Sequence, residues 1–201
     1  MRALKKQYPA LNSRVEIRDD ITGLLVSKGR LFISRSAQIP PGRVEALIQH
    51  EVGTHILTYF NGKAQPFRQL YCGLSGYDEL QEGLAVLAEF LVGGLTRTRL
   101  RLLAARVRAV HMLLDGATFI DIFRKVHEEY AFEPYTAFSM ATRTCRGGGL
   151  TKDATYLRGL VNLLDYLKKG GELEPLYVGK ISAKQVPMIE ELTWRGILTP
   201  P

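Results

Sequence analysis

A chain of 201 residues with a formal charge of +7 is long enough to bury one sizeable core and short enough to form one domain. Its hydrophobic share of 46% and charged share of 23% exclude global disorder. Cys72 and Cys145 stand far apart, which excludes a disulfide scaffold and a cysteine zinc knuckle, and no stretch approaches the roughly 18 apolar residues of a membrane helix.

The first nine residues, MRALKKQYP, lack the apolar core of a secretory signal, so the chain reads as cytoplasmic with reduced thiols. The positive charge favours acidic partners but does not choose among nucleic acid, anionic lipid and acidic peptide. Its densest group, Arg97, Arg99, Arg101, Arg106 and Arg108, falls inside one expected helix. A solvated helix face is a plainer reading of it than a nucleic-acid site.

In chain order, the first forty residues are β-like. Val15-Glu16-Ile17 alternates, and Leu24-Leu25-Val26 and Leu31-Phe32-Ile33 flank Ser27-Lys28-Gly29-Arg30, a hairpin turn. The hairpin at 24–34 could offer an edge strand to an extended peptide. After Pro40-Pro41-Gly42 a helical pattern begins. Over 43–60, Val44, Leu47, Ile48, Glu51 and His55 share one helix face, and Asn61-Gly62 is expected to stop the helix. A short helix is expected within 65–72, and a strong one from Asp78 to Val92, closed by Gly93-Gly94.

From Thr96 to Leu114 the apolar stripe is Leu100, Leu103, Val107, Val110 and Leu114, with Arg97, Arg101 and Arg108 off it. Further helices are expected at 118–130, 134–144 and 151–169, then a short strand at Leu176-Tyr177-Val178 and a helix at 183–195. The resulting fold class is α+β, mainly helical, with a small N-terminal antiparallel sheet. It reads as a single catalytic domain over 1–201, with 1–40 a β-rich edge and 41–201 a helical body.

The informative segment is His50-Glu51-Val52-Gly53-Thr54-His55. Metallopeptidases commonly place two histidines four apart on one helix face. Here they are five apart. In a regular α-helix that leaves the two rings about 140° apart, a poor metal site. A local π-type turn, with i to i+5 hydrogen bonding, would bring them back to one side, and Gly53 would ease the distortion. Glu51 and His55 are i, i+4 neighbours, which suits Glu51 as a general base beside a metal. Taken alone, the six residues are better explained by one surface histidine and one partly buried one.

Glu82 shifts that balance. It lies 27 positions after His55 and leads into Gly83-Leu84-Ala85-Val86-Leu87-Ala88, with no nearby cation in sequence. A buried carboxylate without a partner is costly, and a metal ion would be a sufficient partner. Two histidines and a glutamate with a fourth position open form a catalytic zinc set. Against this, Glu79 and Glu82 could share an ordinary acidic face. Jointly the two segments favour zinc held by His50, His55 and Glu82, as in a gluzincin-like zinc peptidase.

The chain resembles the DUF1704 proteins, known in bacteria for a Gln-Glu-Gly-Leu-Ala motif, here residues 81–85. Their eukaryotic relatives are the microtubule-associated tyrosine carboxypeptidases, which remove the C-terminal tyrosine of α-tubulin. The resemblance covers Val44 to Ile48, His50 to His55, Tyr59 to Gly62, Gly76 to Glu82 and Arg146 to Asp153. It implies Zn2+ at His50, His55 and Glu82, with Glu51 catalytic. Family members extend further before the segment that begins here, which leaves open the C-terminal part of a longer member, a trimmed chain and a naturally short member.

Two further roles complete the expectation. Tyr77, five residues before Glu82, is a candidate oxyanion donor, with a rim or core tyrosine as the alternative. A carboxypeptidase must also hold a terminal carboxylate. Arg146-Gly147-Gly148-Gly149-Leu150-Thr151-Lys152 offers backbone N–H groups at a helix start, with Arg146 and Lys152 adding charge and Tyr156 and Arg158 following on the same helix. A capped structural loop is the alternative there. The expected function is a zinc metallocarboxypeptidase acting on peptide or protein C-termini, with no membrane partner. A non-catalytic regulator of the same family is the second reading and a nucleic-acid-binding protein the third.

Overall fold

The computed structural model describes residues 13–147, 150 and 152–201. Three short strands come first: β1 (Val15–Arg18), β2 (Leu24–Ser27) and β3 (Arg30–Ser34). The turn between β2 and β3 has positive φ at both Lys28 (48°) and Gly29 (72°), the backbone that joins two strands of right-handed twist. β2 therefore pairs antiparallel with β3, in the register Leu25 to Phe32. β1 pairs parallel with the other edge of β3. The sheet is mixed, in the order β1-β3-β2, not antiparallel throughout as the hairpin signal suggests. The stretch between Arg18 and Arg30 is long enough to lay β2 down and return β3 alongside β1.

A helical run follows: α1 (Val44–His50), a π-helical segment (Glu51–Ile56) and α2 (Leu57–Ala64). Val52 and Ile56 project from the π segment onto Leu31, with Leu24, Val26, Ile33, Ile48 and Phe60 closing the cluster. The run passes through Asn61 and Gly62, where a stop was expected. Both residues serve tertiary contacts instead. Asn61 Nδ2 donates to the Tyr177 carbonyl at 2.9 Å. A Cβ on Gly62 would lie 2.4 Å from the Leu70 carbonyl oxygen, so this glycine lets α3 (Gln69–Cys72) cross α2 closely.

Helix α4 (Tyr77–Leu91) is buried along most of its length, from Leu80 through Leu87. The helices α5 (Arg97–Leu114), α6 (Phe119–Arg124), α7 (Pro134–Cys145), α8 (Lys152–Lys168) and α9 (Val186–Trp194) follow. A second π segment, Lys125–Glu129, continues α6. The strand expected at 176–178 is absent. Glu174–Tyr177 is a 3-10 turn that begins Glu174-Pro175; Leu176 within it and Val178 just after it fill the core.

Two compact units divide the chain. One holds the described residues up to Leu95 together with Gly159–Pro201; the other is Thr96–Arg158. In the first, Leu70, Leu80, Leu84, Leu87, Leu163, Leu176, Ile181 and Ile189 form the main core. In the second, Ala105, Ala109, Ile122, Val126, Ala137, Met140 and Ala141 pack together. Small residues on α5 and α7 let those helices approach. The buried face of α5 is Leu103, Ala105, Ala109 and Val110, whereas Leu100 and Leu114, expected in its stripe, are exposed. Arg106 is largely enclosed; burial holds its pKa below the usual value despite the nearby Asp153 carboxylate. Arg143 grips the buried Asp153 with two nitrogens, at 2.8 and 3.1 Å.

Candidate metal centre

Helix α1 delivers His50 as its last residue, and the π segment then inserts one extra residue into the turn before His55. The i to i+5 pattern puts both rings on one side of the run. Their centroids lie 5.1 Å apart with the planes at 78°. Facing them, α4 presents Glu82. Its Oε2 lies 3.6 Å from His50 Nε2 and 3.8 Å from His55 Nε2. One donor atom from each of the three residues falls within 4.8 Å of the others. His50 (6% exposed) and Glu82 (7%) are buried, and His55 is half-buried.

The donor set fits a catalytic zinc ion. Tetrahedral ligands about 2.0–2.1 Å from zinc lie roughly 3.4 Å from one another. The separations of Glu82 Oε2 from the two imidazole nitrogens are a few tenths of an ångström wider, and the two imidazole donors lie within 4.8 Å of each other, so modest side-chain rotations would close the set. Two imidazoles and one carboxylate leave one position open.

Each histidine is also held from behind. His50 Nδ1 lies 2.9 Å from Oε1 of Glu89, a fully buried residue (0% exposed). The other oxygen of Glu89 accepts from Arg43 Nη2 at 2.8 Å, and Arg43 Nη1 donates to the Gly94 carbonyl at 2.6 Å. The spacings explain the stack. Arg43 and His50 are seven apart, as are Glu82 and Glu89, and two helical turns bring such pairs within about 20° of one face. On the other side, His55 Nδ1 lies 3.4 Å from Gln81 Oε1, which also accepts from Thr58 Oγ1 at 2.8 Å.

The Gln81-Glu82-Gly83 string thereby acquires a physical meaning. Gln81 faces His55, Glu82 joins the donor set, and Gly83 lets α8 approach. A Cβ on Gly83 would lie 2.5 Å from the Gly159 backbone. Leu84 and Ala85 complete the motif as core residues, 1% and 0% exposed.

Burial pulls the His50 pKa down, but the Glu82 and Glu89 carboxylates beside its two nitrogens and the charge of Glu51 outweigh that, and it rises to about 9. Glu51, half-buried at the start of the π segment, thus lies within electrostatic reach of His50. Tyr77 opens α4. Burial raises its pKa, with Asp78 and then Glu82 adding to the effect, so the phenol keeps its proton and stays a donor. Its ring packs against Gly73 and lies 5.4 Å from Lys180 Nζ.

Sequence reasoning singled out His50, Glu51, His55, Tyr77 and Glu82, and all of them belong to the first unit. The expected carboxylate-binding residues belong to the second. Arg146 follows α7 and is exposed, Lys152 opens α8 and is exposed, Tyr156 is half-buried and Arg158 exposed. Gly148, Gly149 and Thr151 of the intervening string lie outside the described residues. Arg43, Thr58, Gln81 and Glu89 were missed. The seven-residue spacing from Glu82 to Glu89, an acid within Leu84 to Leu91, was the available signal.

Comparison with known proteins bears on the same residues. No solved structure matches the chain. Over 170 residues it is 29% identical to microtubule-associated tyrosine carboxypeptidase 1 of Rattus norvegicus, an alignment covering 77% of this chain and 34% of the rat protein. The chain thus spans about a third of that relative's length. The profile of the family described as microtubule-associated tyrosine carboxypeptidase matches residues 1–201, from first to last. A chain matched over its whole length, with the Gln-Glu-Gly string lining a three-donor cluster, belongs to the microtubule-associated tyrosine carboxypeptidase family.

Proposed function

We propose that this chain is a zinc-dependent metallopeptidase that releases residues from the C-termini of peptides or proteins. The observation that carries the proposal is the convergence of His50 Nε2, His55 Nε2 and Glu82 Oε2, which requires the π segment. Family membership supports carboxypeptidase action, since the rat relative bears that name. Zinc at this set supplies Lewis acidity and lowers the pKa of water.

The remaining roles fall to the chain's own side chains. Glu51, next to His50 and one turn from His55, takes a proton from the attacking water and passes it to the departing amine. Tyr77, still protonated, donates a hydrogen bond to the carbonyl oxygen as negative charge develops on it. Glu89 and Gln81 hold the two imidazoles in orientation.

The deciding experiment pairs metal analysis with a peptide-library digest read by mass spectrometry. One zinc per chain is expected, lost in His55→Ala and Glu82→Ala. Loss of single residues from peptide C-termini is expected from the native chain and not from Glu51→Gln. A native chain that holds zinc yet trims no peptide would refute the peptidase reading and favour a regulatory role.

A further inference from the structure

The half-buried Arg43 and the buried Glu89 have no part in the proton transfers described above. Glu89 is completely enclosed, and a buried carboxylate is seldom retained for stability alone, because taking its charge out of water offsets the attraction of a partner such as the half-buried Arg43. Its two oxygens are divided between two partners. Oε2 receives Arg43, and Oε1 faces His50 Nδ1. Arg43 is itself anchored by the Gly94 carbonyl, at a point where a Cβ on Gly94 would lie 2.3 Å from the Ala46 side chain. The chain after α4 is thus packed directly onto α1, and Arg43 has little freedom to swing away.

We infer that Arg43 and Glu89 form a positioning relay that fixes the His50 ring, an inference that rests on the metallopeptidase reading. The carboxylate paired with Arg43 can only accept at Oε1, so His50 Nδ1 donates to it. Once a bound metal takes the place of the proton on Nε2, the lone pair of Nε2 is left on the side of Glu82 and His55. The second histidine is held differently. His55 Nδ1 faces a neutral amide oxygen at 3.4 Å, shared with Thr58. The two arms of the donor set are therefore unequal: the His50 arm is fixed by a charged chain of three residues, and the His55 arm by a longer, uncharged contact. Arg43 and Glu89 touch neither substrate nor metal; they act through His50.

The test measures zinc affinity of the full chain by competition with a chromophoric chelator, with circular dichroism confirming the native fold at the assay temperature. Glu89→Gln is expected to weaken zinc binding by about 10–100-fold. Arg43→Met should weaken it in the same direction, Arg43→Lys less so, and Gln81→Ala less than Glu89→Gln. Because Arg43 acts through Glu89, the double variant Arg43→Met/Glu89→Gln should bind no more weakly than Glu89→Gln alone. In zinc-loaded protein, 15N spectra of the histidines should show the His50 signals moved by Glu89→Gln and those of His55 nearly unmoved. Native-like zinc affinity in folded Glu89→Gln, or effects of the two single changes that multiply in the double variant, would overturn the relay. Should Glu89→Gln fail to fold, Arg43→Met and Arg43→Lys carry the same comparison. A wild-type chain that binds no zinc removes the metallopeptidase reading itself, a result distinct from wild-type binding that Glu89→Gln leaves unchanged.

Discussion

Burial alone would keep the His50 imidazole neutral, yet carboxylates near both of its nitrogens lift its pKa from 6.5 to about 9. The native state therefore holds a proton that the unfolded chain releases between those values. In metal-stripped protein this contribution to stability is fully present below pH 6.5 and is lost as pH rises through 9. Its size is on the order of 3 kcal/mol. Urea denaturation of chelator-treated protein at pH 6 and pH 9.5 should show the decline, and His50→Asn should flatten it; equal slopes in both chains would contradict the assignment. At this scale the sequence was informative where residues announce themselves by local spacing. His50, Glu51 and His55 lie in one six-residue string, and Glu82 is an acid entering an apolar run. Arg43 was illegible, and Glu89 was marked only as an acid in an apolar run, because their roles depend on which helices lie side by side, and one sequence does not state that.

Among elements, the π segment is decisive. It was foreseeable, since two histidines five apart cannot share a helix face without it. Removing its extra residue tests this. Deleting Gly53 restores a four-residue histidine spacing but rotates everything after it by about 100°. Ile56, fully buried on Leu31, and Thr58, bonded to Gln81, would both leave their sites. The deletion should destabilise by more than about 3 kcal/mol in thermal or urea unfolding, despite creating a more conventional motif. Gly83→Ala should cost about 1–3 kcal/mol, because its Cβ meets α8 backbone rather than a movable side chain. Element ends were less legible than element types. Asn61-Gly62 has the composition of a stop but serves packing, and Leu176 and Val178 are apolar because the core needs them, not because they form a strand. The parallel pairing of β1 was hidden because strand order is not a local property.

For the whole molecule, a mainly helical α+β architecture could be read from periodicity, whereas the division at Thr96 and Arg158 could not. That boundary cuts through the continuous helix α8, with no linker-like composition to mark it. Every member of the donor set and both of its rear supports belong to one unit. A ligand that binds only the folded form stabilises it by about 4 kcal/mol at a thousandfold excess over its Kd. Adding a chelator to zinc-loaded protein should therefore lower its unfolding temperature by several degrees, and the same treatment of Glu82→Ala should change nothing. An unchanged midpoint in the native chain would mean that no metal links α1 to α4. The surplus residue between the two histidines also has a bearing on how such proteins are recognised. Genome surveys keyed to ideal helical periodicity will skip this chain, although its two imidazole centroids lie only 5.1 Å apart. A search template that tolerates one inserted position and requires Gln-Glu-Gly some thirty residues downstream would recover it.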